Sequence, residues 1–182
     1  MAIFENVVTA VERADVIDSP AHAIRSVLDR VMKPPVANAL SGTWLGHPVH
    51  PLVVTAPIGA WLSAGVLDLT HGDPVAARRL VGFGVGCAAA SAATGWSDWR
   101  KTTGPAARVG LVHAVCNGTA VALYTFSWRS RAAGNHRLGR RLALAGAVFL
   151  GAGGFLGGHL AYALGVNVRP AARAAEPASV GG

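Results

Sequence analysis

The sequence predicts an all-α protein: a four-helix transmembrane bundle with an N-terminal amphipathic helical arm. Three observations carry this. The 182 residues are 52% hydrophobic and only 14% charged, where an average soluble domain carries about 25% charged residues. Apolar runs near the roughly 20 residues needed to cross a bilayer recur four times. The charges crowd between those runs and are almost absent from them. The expected organisation is an interfacial arm over residues 1–40, a transmembrane domain over 41–168 and a disordered tail over 169–182.

Within the arm, Phe4, Val7, Val8 and Val11 recur at helical spacing, as do Ile24, Val27, Leu28 and Val31. Ser19-Pro20 between them reads as an N-cap followed by proline at the first helical position. Two short helices lying on the membrane surface account for this pattern. Lys33-Pro34-Pro35 then breaks the helix before the first span.

The first span is expected at residues 51–69, with Pro57 as a kink. The second covers 80–96, where Gly82, Gly86, Ala90 and Thr94 form a stripe of small residues suited to close packing. The third covers 109–128. The fourth covers 142–164, with Gly154 and Gly158 again four apart. No internal repeat stands out. Four crossings put both termini on one face, here called side A, in a multi-pass protein of the plasma membrane. Side B then carries Arg78, Arg79, Arg129, Arg131, Arg137, Arg140 and Arg141, and the side A loop carries Arg100, Lys101 and Arg108. That bias leans toward a cytoplasmic side B, although Arg30, Lys33, Arg169 and Arg173 weaken the contrast.

The formal charge of +7 does not indicate nucleic acid, because the basic residues flank apolar segments instead of forming a basic domain. Cys87 and Cys116 fall within apolar helices, and no CxxC pair suggests zinc or redox exchange. No secretory signal, Ser/His/Asp arrangement, phosphate loop or HExxH helix is present, which leaves hydrolase and nucleotide-binding classes without support.

The candidate chemistry lies in the histidines. Gly46-His47-Pro48-Val49-His50-Pro51 puts two imidazoles at the start of the first span. Asp98 ends the second, between Trp96 and Trp99. His113 lies about one turn into the third, and His159 about one and a half turns before the end of the fourth. All five belong to side A, whereas His71 and His136 belong to side B loops and His22 to the arm. Ionisable groups at membrane depth are costly and point to function. Asn117 shares a helical face with His113, and Gly157-Gly158 before His159 leaves room for a backbone or a flat cofactor. Asp68, near side B, is expected to pair with an arginine such as Arg78.

The string from Gly42 to Pro51 continues through Ala56-Pro57-Ile58-Gly59-Ala60-Trp61. With Leu67-Asp68, residues 94–99, Val112-His113-Ala114 and Gly157-Gly158-His159-Leu160, it resembles an uncharacterised bacterial membrane-protein family, domain of unknown function 2231. The resemblance covers most of residues 40–170. It implies a four-helix membrane unit in a redox neighbourhood, since such units often stand beside a Rieske iron–sulfur domain. No Cys-x-His motif follows the fourth span here.

Three readings stay open. In one, His113 and His159 ligate a b-type haem while Arg100, Lys101 and Arg108 meet its propionates. In another, His47, His50, His113 and His159 with Asp98 hold a single zinc, iron or copper ion. In the third, the histidines are structural and the chain is a membrane anchor or subunit docking a Rieske-type or other redox partner. The common expectation is a redox-associated membrane subunit.

Overall fold

The computed structural model describes residues 2–168, with side chains from residue 5 onward. The tail expected over 169–182 and the side chain of Phe4 lie outside the described residues. The elements are α1 (Ala2–Glu12), α2 (Asp18–Val31), α3 (Pro34–Ser41), α4 (His50–Val53), α5 (Thr55–Leu69), α6 (Pro74–Trp99), α7 (Gly104–Ala132) and α8 (His136–Tyr162). Short 3-10 turns at Asp15–Ile17 and Thr43–Leu45 join the first pieces. Among the described residues there is no strand.

Four stretches are long and apolar enough to cross a membrane: His50–Leu69, Pro74–Trp99, Gly104–Ala132 and His136–Tyr162. The fold class expected from sequence is therefore the one observed. The last three helices begin five or six residues earlier than the apolar runs alone indicate. Asp73 accepts from Val75 N at 2.8 Å and Asn135 from Leu138 N at 3.1 Å, so N-caps, not loss of hydropathy, set where α6 and α8 start. The break in the first span falls at Val54, between α4 and α5. Pro57 has no N–H to offer the Val53 carbonyl one turn back, and Ser91 Oγ stands 3.5 Å from that oxygen.

Two further expectations are corrected. The helix predicted to begin at Ser19-Pro20 begins at Asp18 with no side-chain cap. The break at Lys33-Pro34-Pro35 holds, since α2 ends at Val31, but the arm has a third helix where two were expected: Pro34-Pro35 open α3, because proline is compatible with the first turn of a helix.

The arm is fastened to the bundle by its polar side as well as its apolar one. Val8 is buried against Val109 and Leu156. Arg25 donates to the carbonyls of Arg100 (3.1 Å) and Thr102 (2.6 Å), and its guanidinium lies 5.3 Å from the centre of the Trp99 ring. Arg100 pairs with Asp29 at 2.9 Å, and Arg108 with Asp15 and Asp18 at 2.5 and 2.7 Å. Ser97 Oγ donates to Ala37 O at 3.1 Å.

The Arg108 guanidinium holds the Asp18 carboxyl below its ordinary value of 3.8. A depressed carboxylate contributes stability above its unfolded-state value and loses it as pH falls through the folded one. Attachment of α2 is therefore expected to weaken only below pH 3.8. Hydrogen exchange of the α2 amides should accelerate there, and tryptic cleavage at the exposed Arg13 reports the same loosening at neutral pH. Asp18→Asn should give that faster cleavage at neutral pH; unchanged cleavage would show that this pair does not fasten the arm.

The bundle contains a repeat that periodicity alone did not reveal. Helix α5 stacks on α7 through Trp61 and Tyr124, whose rings are 4.1 Å apart and 6° from parallel. Asp68 of α5 pairs with Arg131 of α7, 63 positions on, the separation that also relates Trp61 to Tyr124 and His50 to His113. Helices α6 and α8 repeat at one position less. Gly84 packs on Trp61 and Gly146 on Tyr124, while Gly95 packs on the His50 ring and Gly157 on the His113 ring. The offset shrinks because the α7–α8 turn is one residue shorter than the α5–α6 turn. Both turns place a residue at positive φ at the matching position: His71 at 55° and Gly134 at 81°. Thus two helical hairpins of one design run in the same sense across the membrane. Their first helices meet in two layers, Trp61 with Tyr124 and Asp68 with Arg131 about 10 Å further toward side B, and carry His50 and His113 at equivalent positions about 16 Å toward side A.

Candidate functional site: the paired histidines of the side A half

His50 is the first residue of α4, and its ring lies against α6. Its Nδ1 is 3.0 Å from Ser91 O and 3.1 Å from Thr94 Oγ1. The Thr94 hydroxyl has its own acceptors in the carbonyls of Ala90 and Ser91. Nδ1–H of His50 therefore donates, and Nε2 keeps the lone pair. His113 repeats this in the second hairpin, its Nδ1–H donating to Gly153 O at 2.8 Å. Ser91 and Gly153 stand at matching positions of α6 and α8, and each lies one turn before the glycine under the ring.

The glycines make this geometry possible. A Cβ at Gly95 would stand 3.0 Å from His50 Cε1, and one at Gly157 would stand 3.0 Å from His113 Cε1. Both are closer than side chains ordinarily tolerate, so each glycine lets an imidazole lie flush on the neighbouring helix. Asn117 donates to His113 O at 2.9 Å, and its amide nitrogen is 3.3 and 3.2 Å from the two ring nitrogens. Near-equal distances place that amide over the ring face and not on the in-plane lone pair of Nε2. A carbonyl-held Nδ1–H with a free Nε2 is the arrangement of a histidine prepared to ligate a metal.

The other residues expected in the cluster do not join this pair. His159 Nε2 meets Glu12 Oε1 of the arm at 2.8 Å. It follows Gly157 by two residues, about 200° around α8, and so faces α1 and not His113. His47 is exposed in the loop before α4, with only a long 3.4 Å approach to Leu45 O. Asp98 is buried and accepts from Asn167 Nδ2 at 2.8 Å. Among the described residues, no group of three or more His, Cys, Asp or Glu could hold a metal ion. The four-histidine site with Asp98 is thus not assembled: similar depth did not mean a shared direction. Arg100 and Arg108, expected to meet propionates, are engaged by Asp29, Asp15 and Asp18. Asp68 pairs with Arg131 and stands 3.8 Å from Arg140; Arg78 is not its partner.

Sequence reading missed Glu12 and Gly95 as partners of histidines. The signal for Gly95 was present: Arg78-Arg79-Leu80, Gly84 and Gly95 each reappear sixty-two positions later as Arg140-Arg141-Leu142, Gly146 and Gly157.

Fold and site together define a polytopic membrane protein built from two tandem hairpins with a histidine pair between them. Residues 46–170 match the family described as predicted membrane protein (DUF2231), and the chain belongs to that family. No curated protein and no solved structure matches it.

Proposed function

We propose that this protein is a redox-associated membrane subunit that binds one b-type haem through Nε2 of His50 and His113. One observation carries the reading: two repeat-equivalent imidazoles, each with Nδ1–H held by a backbone carbonyl and each backed by a glycine, keep an unprotonated Nε2 in the side A half. Two such nitrogens suffice to hold a haem iron, whereas a structural zinc site needs four ligands and a catalytic one three. The ligand count therefore favours haem over a bare ion. The pairing also differs from the His113–His159 pair suggested by adjacency in sequence.

A bound haem would supply one-electron chemistry. The chain's own groups fix both imidazole tautomers and hold the pair toward side A. The Trp61–Tyr124 stack and the Asp68–Arg131 pair fill the centre on the side B side of the histidines. Electron exchange is accordingly assigned to side A, with a Rieske-type or other one-electron carrier as the partner.

The test is an optical spectrum of detergent-purified protein, oxidised and dithionite-reduced, with metal analysis of the same sample. The expected result is a Soret band, sharp α and β bands on reduction, and one iron per chain. Stoichiometric zinc or copper without a Soret band would replace haem by a bare metal ion. A colourless, metal-free protein that stays colourless after addition of haemin would overturn the proposal.

A further inference from the structure

At the side B end the ends of α6, α7 and α8 bring Arg78, Arg79, Arg129, Arg137, Arg140 and Arg141 to one level. The carboxylates nearby are already engaged: Asp68 by Arg131, and Asp73 as the N-cap of α6. Most of these arginines have an equivalent in the other hairpin, but Arg129 corresponds to Val66. The α6–α7 seam is therefore chemically unlike its counterpart between α8 and α5.

That seam has a shape as well as a charge. An open groove of about 420 Å³ is lined by Trp128, Arg129, Ala132 and Ala133. Gly82 of α6 clears the space for the Trp128 indole, because a Cβ there would stand 2.7 Å from Nε1. Trp128 remains 42% exposed, and none of the described residues accepts a hydrogen bond from its N–H. Arg79 lies three residues before Gly82, on the same face of α6 and one turn nearer the membrane surface. Arg129 thus lines the groove itself, outward of the indole, and Arg79 stands on α6 one turn outward of Gly82.

We propose that this seam binds an anionic phospholipid. Its phosphate lies at the groove, between the guanidiniums of Arg79 and Arg129, its ester region lies at Trp128, and its chains run inward from Trp128 along the α6–α7 seam. Arginine suits the phosphate because its planar fork can donate two hydrogen bonds at once, and an interfacial tryptophan suits the ester level.

The experiment measures binding of phosphatidylglycerol and phosphatidylcholine to the detergent-purified full chain by native mass spectrometry. Quenching of Trp128 by brominated phosphatidylglycerol, read as the component lost in Trp128→Phe, provides a second readout. Wild type should prefer phosphatidylglycerol. The Arg79→Gln/Arg129→Gln double variant should bind it about thirtyfold more weakly and lose the quenching. Arg137→Gln/Arg141→Gln removes the same charge from the same end, away from the seam, and should retain both. Equal losses in the two double variants would reduce the effect to diffuse charge and overturn the site. Displacement of the lipid by millimolar inorganic phosphate would assign the arginines to a soluble anion and overturn it equally. Lack of any preference for phosphatidylglycerol would leave these arginines as topology determinants only.

Discussion

Asp68→Ala is expected to destabilise the bundle by about 3–5 kcal/mol, more than any other single truncation of a charged side chain in the spans. Arg131 donates to Asp68 through Nη1 at 2.8 Å and Nη2 at 2.5 Å. The Arg131 side chain is 0% exposed and that of Asp68 only 14%. Arg131 Nε also donates to Ser127 Oγ, which itself donates to Gly139 O. Removing the carboxylate leaves a buried guanidinium with no counter-charge. Arg131→Ala should cost less, because Asp68 retains Arg140 at 3.8 Å, a side chain 45% exposed and free to move closer. Asp68→Leu with Arg131→Met should recover most of the loss, since an apolar pair of similar volume escapes the desolvation cost of both ions. Unfolding of the detergent-solubilised variants, followed by circular dichroism, gives the order. Equal losses in the two alanine variants would show that Arg140 does not substitute for Arg131.

This ion pair also marks where sequence reading succeeds and where it fails. Number, order and approximate place of the spans follow from hydropathy, because a bilayer enforces runs of a minimum length whatever the neighbours are. Depth follows too, from counting residues along each helix: His113 and the side A part of α8 do stand at one level. Direction does not. Asp68 meets Arg131 and not Arg78, and His159 meets Glu12 and not His113, because a two-residue step reverses the face a helical side chain presents. The hairpin repeat would have supplied the missing direction. It was hidden by a one-residue difference between the two turns and by how few identities survive, chiefly Arg-Arg-Leu, two glycines and one histidine. The arm shows a different limit. Its apolar periodicity was legible, but Glu12, Asp15, Asp18 and Asp29 read as a solvated face until Arg100, Arg108 and His159 were placed opposite them.

The repeat leads to a prediction that separates ligation from packing. His50→Ala and His113→Ala are each expected to convert a six-coordinate, low-spin haem spectrum to a five-coordinate one, and the double variant is expected to lose the Soret band entirely. Equal effects are expected because the two histidines occupy equivalent places, with the same backbone acceptor and the same glycine support. His159→Ala should leave the spectrum unchanged and instead speed proteolysis of the arm, since its partner is Glu12. His47→Ala should change neither. Free imidazole diffused into the cavity of either single variant should restore the six-coordinate spectrum, which a histidine serving only to fasten helices would not allow. Replacing Gly157 by leucine offers an independent approach from the other side of the ring. It leaves the ligand in place but removes the space that holds it against Gly153 O. Loss of that supporting hydrogen bond is expected to weaken haem retention by about 10–100-fold, the range seen when partners behind metal-bound histidines are removed. A haem spectrum that survives His113→Ala and Gly157→Leu but disappears in His159→Ala would return the ligand role to His159 and reduce the paired imidazoles to interhelical hydrogen bonds.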